Sequence, residues 1–419
     1  MPLSLKDLYD SLADDGVGIR ARTELEPLGG PGDKLAPPTY GADSGFPTKY
    51  ATEQRRVDGQ NVPSVVLDSV ASQANRLELA LLEAVHNGDM ELPLISADFR
   101  DVEGLASYDR ISSLEAPHRV FDAILRDSKL GERLFRLSDV GQSITEATTK
   151  SAAAMFRYSP TTLLFGGWDS TGPKGGRGAK YERVLTSEIV GIGIAQGVRT
   201  SSRIDPVGIE LKAGTLYESK DSDFPWTLDE GEAVSDKGKP VLIKGTGDGA
   251  AGRPSQVNHG NIAPSREKDA GGVTVDTIQA TTVLSFGQLR RLRFPVDGAG
   301  ASLDGDRRRT AEVAARTALT ALGLAAVVLA FEDGFDLRSR CVLIATAPLS
   351  FEMLRRGGQS STFSLSRAEA LDLLQKAVAG AAEAGLPWER EEILLQPAER
   401  LAELIRRSQR LAAQQSETG

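Results

Sequence analysis

The residues best suited to chemistry lie in one stretch, GGWDSTGPKGGRGAKYERVLTSEIVG, residues 166–191. Glycines stand beside Lys174, Arg177 and Lys180, so backbone amides and cationic side chains can approach phosphates together. From Lys150 to Arg183 there are six basic residues (Lys150, Arg157, Lys174, Arg177, Lys180 and Arg183) against Asp169 and Glu182, a local sum of +4 in a chain of net charge −9. A solvated turn with ordinary charges accounts for the same composition, so both readings stand on these residues alone. Trp168 sits at the end of an apolar run, where it can stack on a base or simply cover a rim. Arg290, Arg291, Arg293, Arg307, Arg308 and Arg309 make a second basic concentration. It fits a solvated face or a second phosphate contact.

The other reactive side chains are isolated. His118 follows Pro117, where it can act as a general acid or base or as a polar contact at a helix start. His259, in VNHGNIAPS, can touch a ligand or brace its turn, and Asp169 can be catalytic or bond the turn backbone. Arg203 precedes an Asp-Pro step and has an ion pair with Asp205 as its plainest role. Gly247, Gly249 and Gly252 fit G-x-G-x-x-G, but Arg253 and Pro254 follow where a dinucleotide site needs a helix to open, so the match is rejected. No G-x-x-x-x-G-K-[ST] or G-x-S-x-G occurs. One cysteine, Cys341, and three scattered histidines cannot supply the usual zinc spacing. No metal or cofactor is expected.

Elements must position these residues. The chain has 419 residues, 40% hydrophobic and 26% charged, a composition ordinary for a globular protein with room for a core. A balance of 49 basic to 58 acidic residues argues against sequence-blind nucleic-acid binding over the whole surface, though not against a local basic groove. The single cysteine and the lack of an apolar leader in MPLSLKDLYD point to a cytoplasmic setting. Ala311–Phe331 is apolar but carries Glu312 and Arg316, which predicts a buried helix and no membrane partner. Residues 27–48, with five prolines and five glycines, predict a surface loop. A helix is expected from Ser64 with Val70, Ala74, Leu77, Leu81 and Val85 on one face, and Asn75 and Arg76 lie beside that face. Another amphipathic segment is expected over 117–125. Strands are expected at 161–167, 207–211, 240–244, 273–278, 281–286 and 342–347. Residues 245–272 lack apolar periodicity and read as a long loop. Ser366 and Glu369 form a capping box for a C-terminal helix that stops near Gly385 and Pro387, and a last helix begins at Pro397. The pattern predicts an α+β fold with insertions.

Longer strings carry a resemblance. SVASQANRLE (69–78), ISSLEAPHRVFDAILRDS (111–128), SPTTLLFGGWDSTGPKGGRGAKYERVLTSEIVGI (159–192), SSRIDPVGIE (201–210), VNHGNIAPS (257–265) and GGVTVDTIQATTVLSFGQLRRLRFP (271–295) resemble the backbone subunit of the type I-G (formerly I-U) Cascade complex, a RAMP-superfamily CRISPR-associated protein. The FDLRSRC run, 335–341, adds to it. The resemblance spans about residues 60–345 and fades beyond about 350.

It implies an RRM-like (ferredoxin-like) palm over 61–350 with a finger insertion and a thumb, and composition and position make 245–272 the expected thumb. Before the palm comes an extended segment, 1–60, and after it C-terminal helices, 351–419. It further implies a non-catalytic role, in which copies line up along the crRNA spacer and leave its bases free to pair with target DNA. The expected partners are crRNA, target DNA through the guide, further copies of the chain and other Cascade subunits. The expected RNA contacts are Asn75, Arg76, His118, Arg119, Trp168, Lys174, Arg177, Lys180, Arg183, Arg203, His259 and Asn261. The alternative within the superfamily is a metal-independent endoribonuclease that processes crRNA with His118 or His259. A loop aspartate cuts target RNA in type III relatives, but no motif carries that role to Asp169.

Overall fold

The computed structural model describes residues 3–41, 48–172, 178–210, 212–245 and 250–417. The chain divides into two compact units: Met1–Gln196 with Gly272–Leu401, and Gly197–Gly271 with Ala402–Gly419.

The first unit is mixed α+β. In chain order it runs α1 (Leu5–Ala13), β1 (Gly16–Pro27), β2 (Thr52–Val57), β3 (Gln60–Asp68), α2 (Val70–His86), β4 (Leu185–Ile192), β5 (Thr277–Ser285), α3 (Gly305–Glu332), β6 (Phe335–Arg338), β7 (Cys341–Ala345), β8 (Phe351–Arg355), β9 (Ser360–Phe363) and α4 (Arg367–Glu383). The principal sheet has the order β2-β3-β4-β5-β1-β7-β6; β8 also pairs with β1, and β9 with β8. Every pairing is antiparallel. With β2 and β3 inserted before α2, and β6 and β7 inserted after α3, the elements β1, α2, β4, β5, α3 and β8 run in the order βαββαβ, and their four strands lie side by side as β8-β1-β5-β4. This order is compatible with the split-βαβ connectivity of a ferredoxin-like fold. The segment expected to be merely extended, 1–60, thus supplies α1 and the central strand. The part expected to be C-terminal helices supplies β8.

Period-two burial builds this sheet. Ile19, Ala21, Thr23 and Leu25 of β1 are buried beside Ile278, Ala280, Thr282 and Leu284 of β5. Helix α3 is long and apolar enough to cross a membrane by composition, yet residues 311–331 are all buried in the fold. Its neighbours include α2 and α4. A Cβ on Gly323 would lie 2.8 Å from a Leu284 methyl, so glycine lets helix and sheet approach closely. A buried polar chain fixes α2 on the sheet: Ser187 donates to Gln73 at 2.8 Å, and Gln73 donates to Asp68 at 2.7 Å.

Two expectations fail locally. The helix starts at Val70, not Ser64, because residues 60–68 pair with β2 and β4 and Ser69 caps the first turn. TTLLFGG is not a strand over its length: Pro160–Phe165 is a short, wholly buried helix with proline in its first turn, and only Gly167–Trp168 is extended. A short apolar run cannot by itself distinguish a buried helix from a buried strand. The capping box at Ser366 and Glu369 is present. A second sheet joins Ile95–Asp98 to Ile393–Pro397 in parallel, with Arg110–Ser112, Ser128–Leu130 and Arg133–Leu134 at its sides.

In the second unit, Arg199–Arg203 and Ile262–Glu267 form a two-stranded antiparallel arm whose residues are almost all exposed or half-exposed. Exposure on both faces explains why 245–272 showed no apolar periodicity although it contains the strand 262–267 and a 3-10 turn, Pro254–Val257. Residues 207–210 are turn and irregular chain, not strand, and Leu211 lies outside the described residues. The Asp205 carboxylate accepts the amides of Val207, Ile209 and Gly260, which competes with extended pairing there.

Candidate nucleic-acid interface

Residues from 166–170 and 180–186 form one wall of a cleft. Gly166 ends the Pro160–Phe165 helix at φ 85°, and a Cβ there would meet the Tyr181 carbonyl and the Arg183 Cγ at 3.0 Å each. Only glycine makes that turn without strain. Gly167–Trp168 then pairs with Lys180–Tyr181, with Trp168 directly opposite Lys180. The Lys180 ammonium lies 5.9 Å from the centre of the Trp168 ring, and the indole is 50% exposed. Tyr181 points inward and stacks on Phe121, with centroids 6.5 Å apart. Its hydroxyl is buried without a hydrogen-bond partner, and burial pushes its ionisation up.

His118, Trp168, Lys180, Arg183, Gln288 and Arg291 line this open cleft of about 800 Å³. Lys180, Arg183 and His118 are exposed, and among the described residues their side chains make no hydrogen bond or ion pair. Arg291 pairs with Glu182 at the cleft edge. Lys174 and Arg177 lie outside the described residues. Gln288, Arg291 and Tyr181 were not among the expected contacts. Arg291 belongs to the second basic concentration, and nothing in its spacing signals that β5 and the turn after it bring it to the first.

Other expected contacts are engaged inside the protein. Arg119 is buried and holds Glu78 with two bonds of 2.6 and 2.7 Å, while also donating to the Gly166 carbonyl at 3.1 Å. It does so at φ 53°, a left-handed backbone that this bonding holds in place. Burial pushes the Glu78 carboxyl up, to about 7, and Arg119 pulls against that shift. Arg119 is therefore a wall element and not a free phosphate donor. Arg76 bonds Asp68 at 3.0 Å and the carbonyls of Asp336 and Leu337, so its guanidinium is likewise committed. Asn75 is exposed on α2, outside the cleft lining. Asp169 is 3% exposed and pairs with Arg136 at 2.6 Å, as a brace of its turn.

The second basic concentration disperses. Arg290 donates to the carbonyls of Leu12 and Gly16, while Arg293 and Arg308 both pair with Glu312, as does the buried Arg316. Arg309 pairs with Asp306. Burial alone would raise the Glu312 carboxyl, but these guanidiniums hold it below its usual range.

In the second unit, Arg203 sits on the exposed arm and forms no ion pair with Asp205, whose carboxylate is occupied by backbone amides. Asn261 accepts the Asp205 amide at 2.7 Å, and His259 lies 3.8 Å from the Asp205 carboxylate and edge-on to Trp226. Both brace the arm. Among the described residues no His, Cys, Asp and Glu cluster could hold a metal ion.

A mixed α+β unit whose cleft sets exposed cations around an exposed indole carries a candidate polyanion site. Residues 19–196 match the family described as CRISPR-associated protein GSU0053. The match covers less than half of the chain. It takes in most of β1, all of α2 and β4, and most of the cleft, including His118, Trp168, Lys180 and Arg183. No curated protein matches the chain.

Proposed function

We propose that the chain is the non-catalytic backbone subunit of a type I-G Cascade, and that the cleft at Trp168, Lys180 and Arg183 holds the guide RNA. One observation carries the proposal: uncommitted cations and an exposed indole share a cleft within a protein that is otherwise negative. Cations that meet phosphates bind backbone without reading bases, and an indole adds stacking that tolerates any base. The match to a CRISPR-associated family and the split-βαβ palm support the same reading. The exposed arm of the second unit is the proposed thumb, larger than the stretch 245–272 because its partner strand begins at Arg199.

The test is RNA binding by the variant Lys180→Ala with Arg183→Ala. Affinity should fall for every sequence, and the dependence of log affinity on log salt should flatten by about 1.4 for two single-strand phosphate contacts. Unchanged affinity and slope would remove the cleft from the proposal.

His118 supports a second reading, since an exposed imidazole beside cations is what a metal-independent ribonuclease needs. Repeat RNA incubated without metal distinguishes the two. Cleavage that His118→Ala abolishes would favour the nuclease, and intact RNA the backbone subunit.

A further inference from the structure

A trough of about 730 Å³, remote from the chemistry above, runs between the loop 88–93, helix α4 and residues 387–390. Leu371 and Val378, seven residues apart on α4, are half-buried along it. Trp388 lines it at 9% exposure, and its indole N–H is buried with no acceptor. The segments that wall it, 88–93, 367–383 and 387–392, carry eight acidic residues against three basic ones. Arg110 and Arg157 reach in from other elements to pair with Glu392 and Glu389, and the acidic excess survives even when both are counted.

The same chain presents a matching shape. The last helix, α5 (Glu399–Glu417), exposes Leu404 by 65% and Leu411 by 59%, again seven residues apart. Between 399 and 413 it carries Arg400, Arg406, Arg407 and Arg410 against Glu399 and Glu403. Arg407 and Arg410 share Glu403, which leaves the helix net basic, and its two leucines face water while an acidic trough with an aliphatic floor lies open. Helices that enter grooves anchor through side chains at this spacing, and opposite charge at the rim fixes their register.

We propose that α5 of one copy docks in the trough of a second copy, with Leu404 and Leu411 seated along Leu371 and Val378. The two surfaces differ, so the contact is heterologous: each copy offers a helix to one neighbour and a trough to another, which generates chains. The contact needs no RNA, so it stands or falls apart from the cleft.

The experiment is sedimentation of RNA-free full-length protein across the micromolar range. Wild type should associate with increasing concentration, and Leu404→Asp with Leu411→Asp should weaken this roughly thirtyfold or more, the loss of a central apolar anchor. Gln375→Arg with Ala379→Arg, exposed positions on α4 beside the trough, should do the same by repelling the arginines of α5. Each variant is first checked for an unchanged thermal midpoint. Mixing the two variants is decisive, because the helix variant keeps an intact trough and the trough variant an intact helix. The mixture should form a 1:1 heterodimer and no longer chains. A monomeric wild type, variants that associate normally, or a mixture that stays monomeric would each overturn the proposal, the last in favour of α5 binding within its own copy or to another protein.

Discussion

Arg119 and Arg183 approach Gly166 from two sides, and the comparison separates what the cleft is built from and what it offers. Arg119 is buried, bonds the Gly166 carbonyl and locks Glu78 in a two-bond pair. Arg183 lays its stem against Gly166 but leaves its head exposed and unpaired among the described residues. Equal charge and near-equal position produce opposite duties. A guanidinium taken out of water is worth little to a ligand and much to the fold, whereas one left in water contributes little to the fold and is available to phosphate.

The largest expected effect lies on the buried side. Arg119→Ala leaves a buried carboxylate unpaired and should destabilise the protein by about 3–5 kcal/mol, measured as a fall in denaturant midpoint. The loss should depend on pH with a definite sign. Burial already raises the Glu78 carboxyl, and removing the opposing Arg119 raises it further. A carboxyl whose folded pKa exceeds its unfolded value stabilises the fold below the unfolded value and loses that contribution as pH rises through the folded one. Below about pH 7 the carboxyl is protonated in both folded proteins, so the deficit should be constant there and grow as pH rises above about 7, where the wild-type residue ionises against Arg119 and the variant's cannot. A deficit independent of pH would mean that Arg119 acts by packing and not by charge. Arg119→Met combined with Glu78→Leu should recover most of the loss.

An intermediate effect is expected at the rim. Trp168→Ala should weaken binding of single-stranded RNA by about 1–3 kcal/mol through lost stacking, while stability stays within about 0.5 kcal/mol of wild type. Lost stability with unchanged affinity would move Trp168 to the buried side of the comparison.

Sequence reading found the open side better than the buried one, for a physical reason. The run from Trp168 to Arg183 is local, so glycines, cations and an aromatic within sixteen residues mark exposed basic chain without knowledge of the fold. The buried side is made by distance: Arg119 meets Glu78 across 41 positions, and Arg76 meets the carbonyl of Leu337 across 261. No spacing rule joins such residues, so Arg76 and Arg119 looked as free as Lys180. The helix on 160–165 was misread as strand because all six residues are buried, which erases the periodicity that distinguishes the two. The core helix 311–331, by contrast, was legible from its length and its isolated Glu312 and Arg316. Those two proved to pair with each other at 2.8 Å.

The smallest effect is the sharpest test of the comparison, because it concerns counting and not affinity. Each cation that meets a phosphate of single-stranded RNA releases counterions, and log affinity then falls with log salt by about 0.7 per contact. Among the described residues Lys180 has no partner in the cleft but the indole face, so Lys180→Ala should reduce the slope by about that amount. Arg76 has the same formal charge but spends its donors on Asp68 and two carbonyls, so Arg76→Ala should leave the slope unchanged even if the fold is weakened. Titrations of both variants at four or five salt concentrations, with one RNA of guide length, give the two slopes directly. If Arg76→Ala also loses about 0.7, then its internal bonds open when RNA arrives, and engagement in the free protein does not predict engagement in the complex. If neither slope changes, the phosphates lie elsewhere. A difference between the two slopes would show that the partner of a cation, and not its charge, decides which side of the cleft it serves.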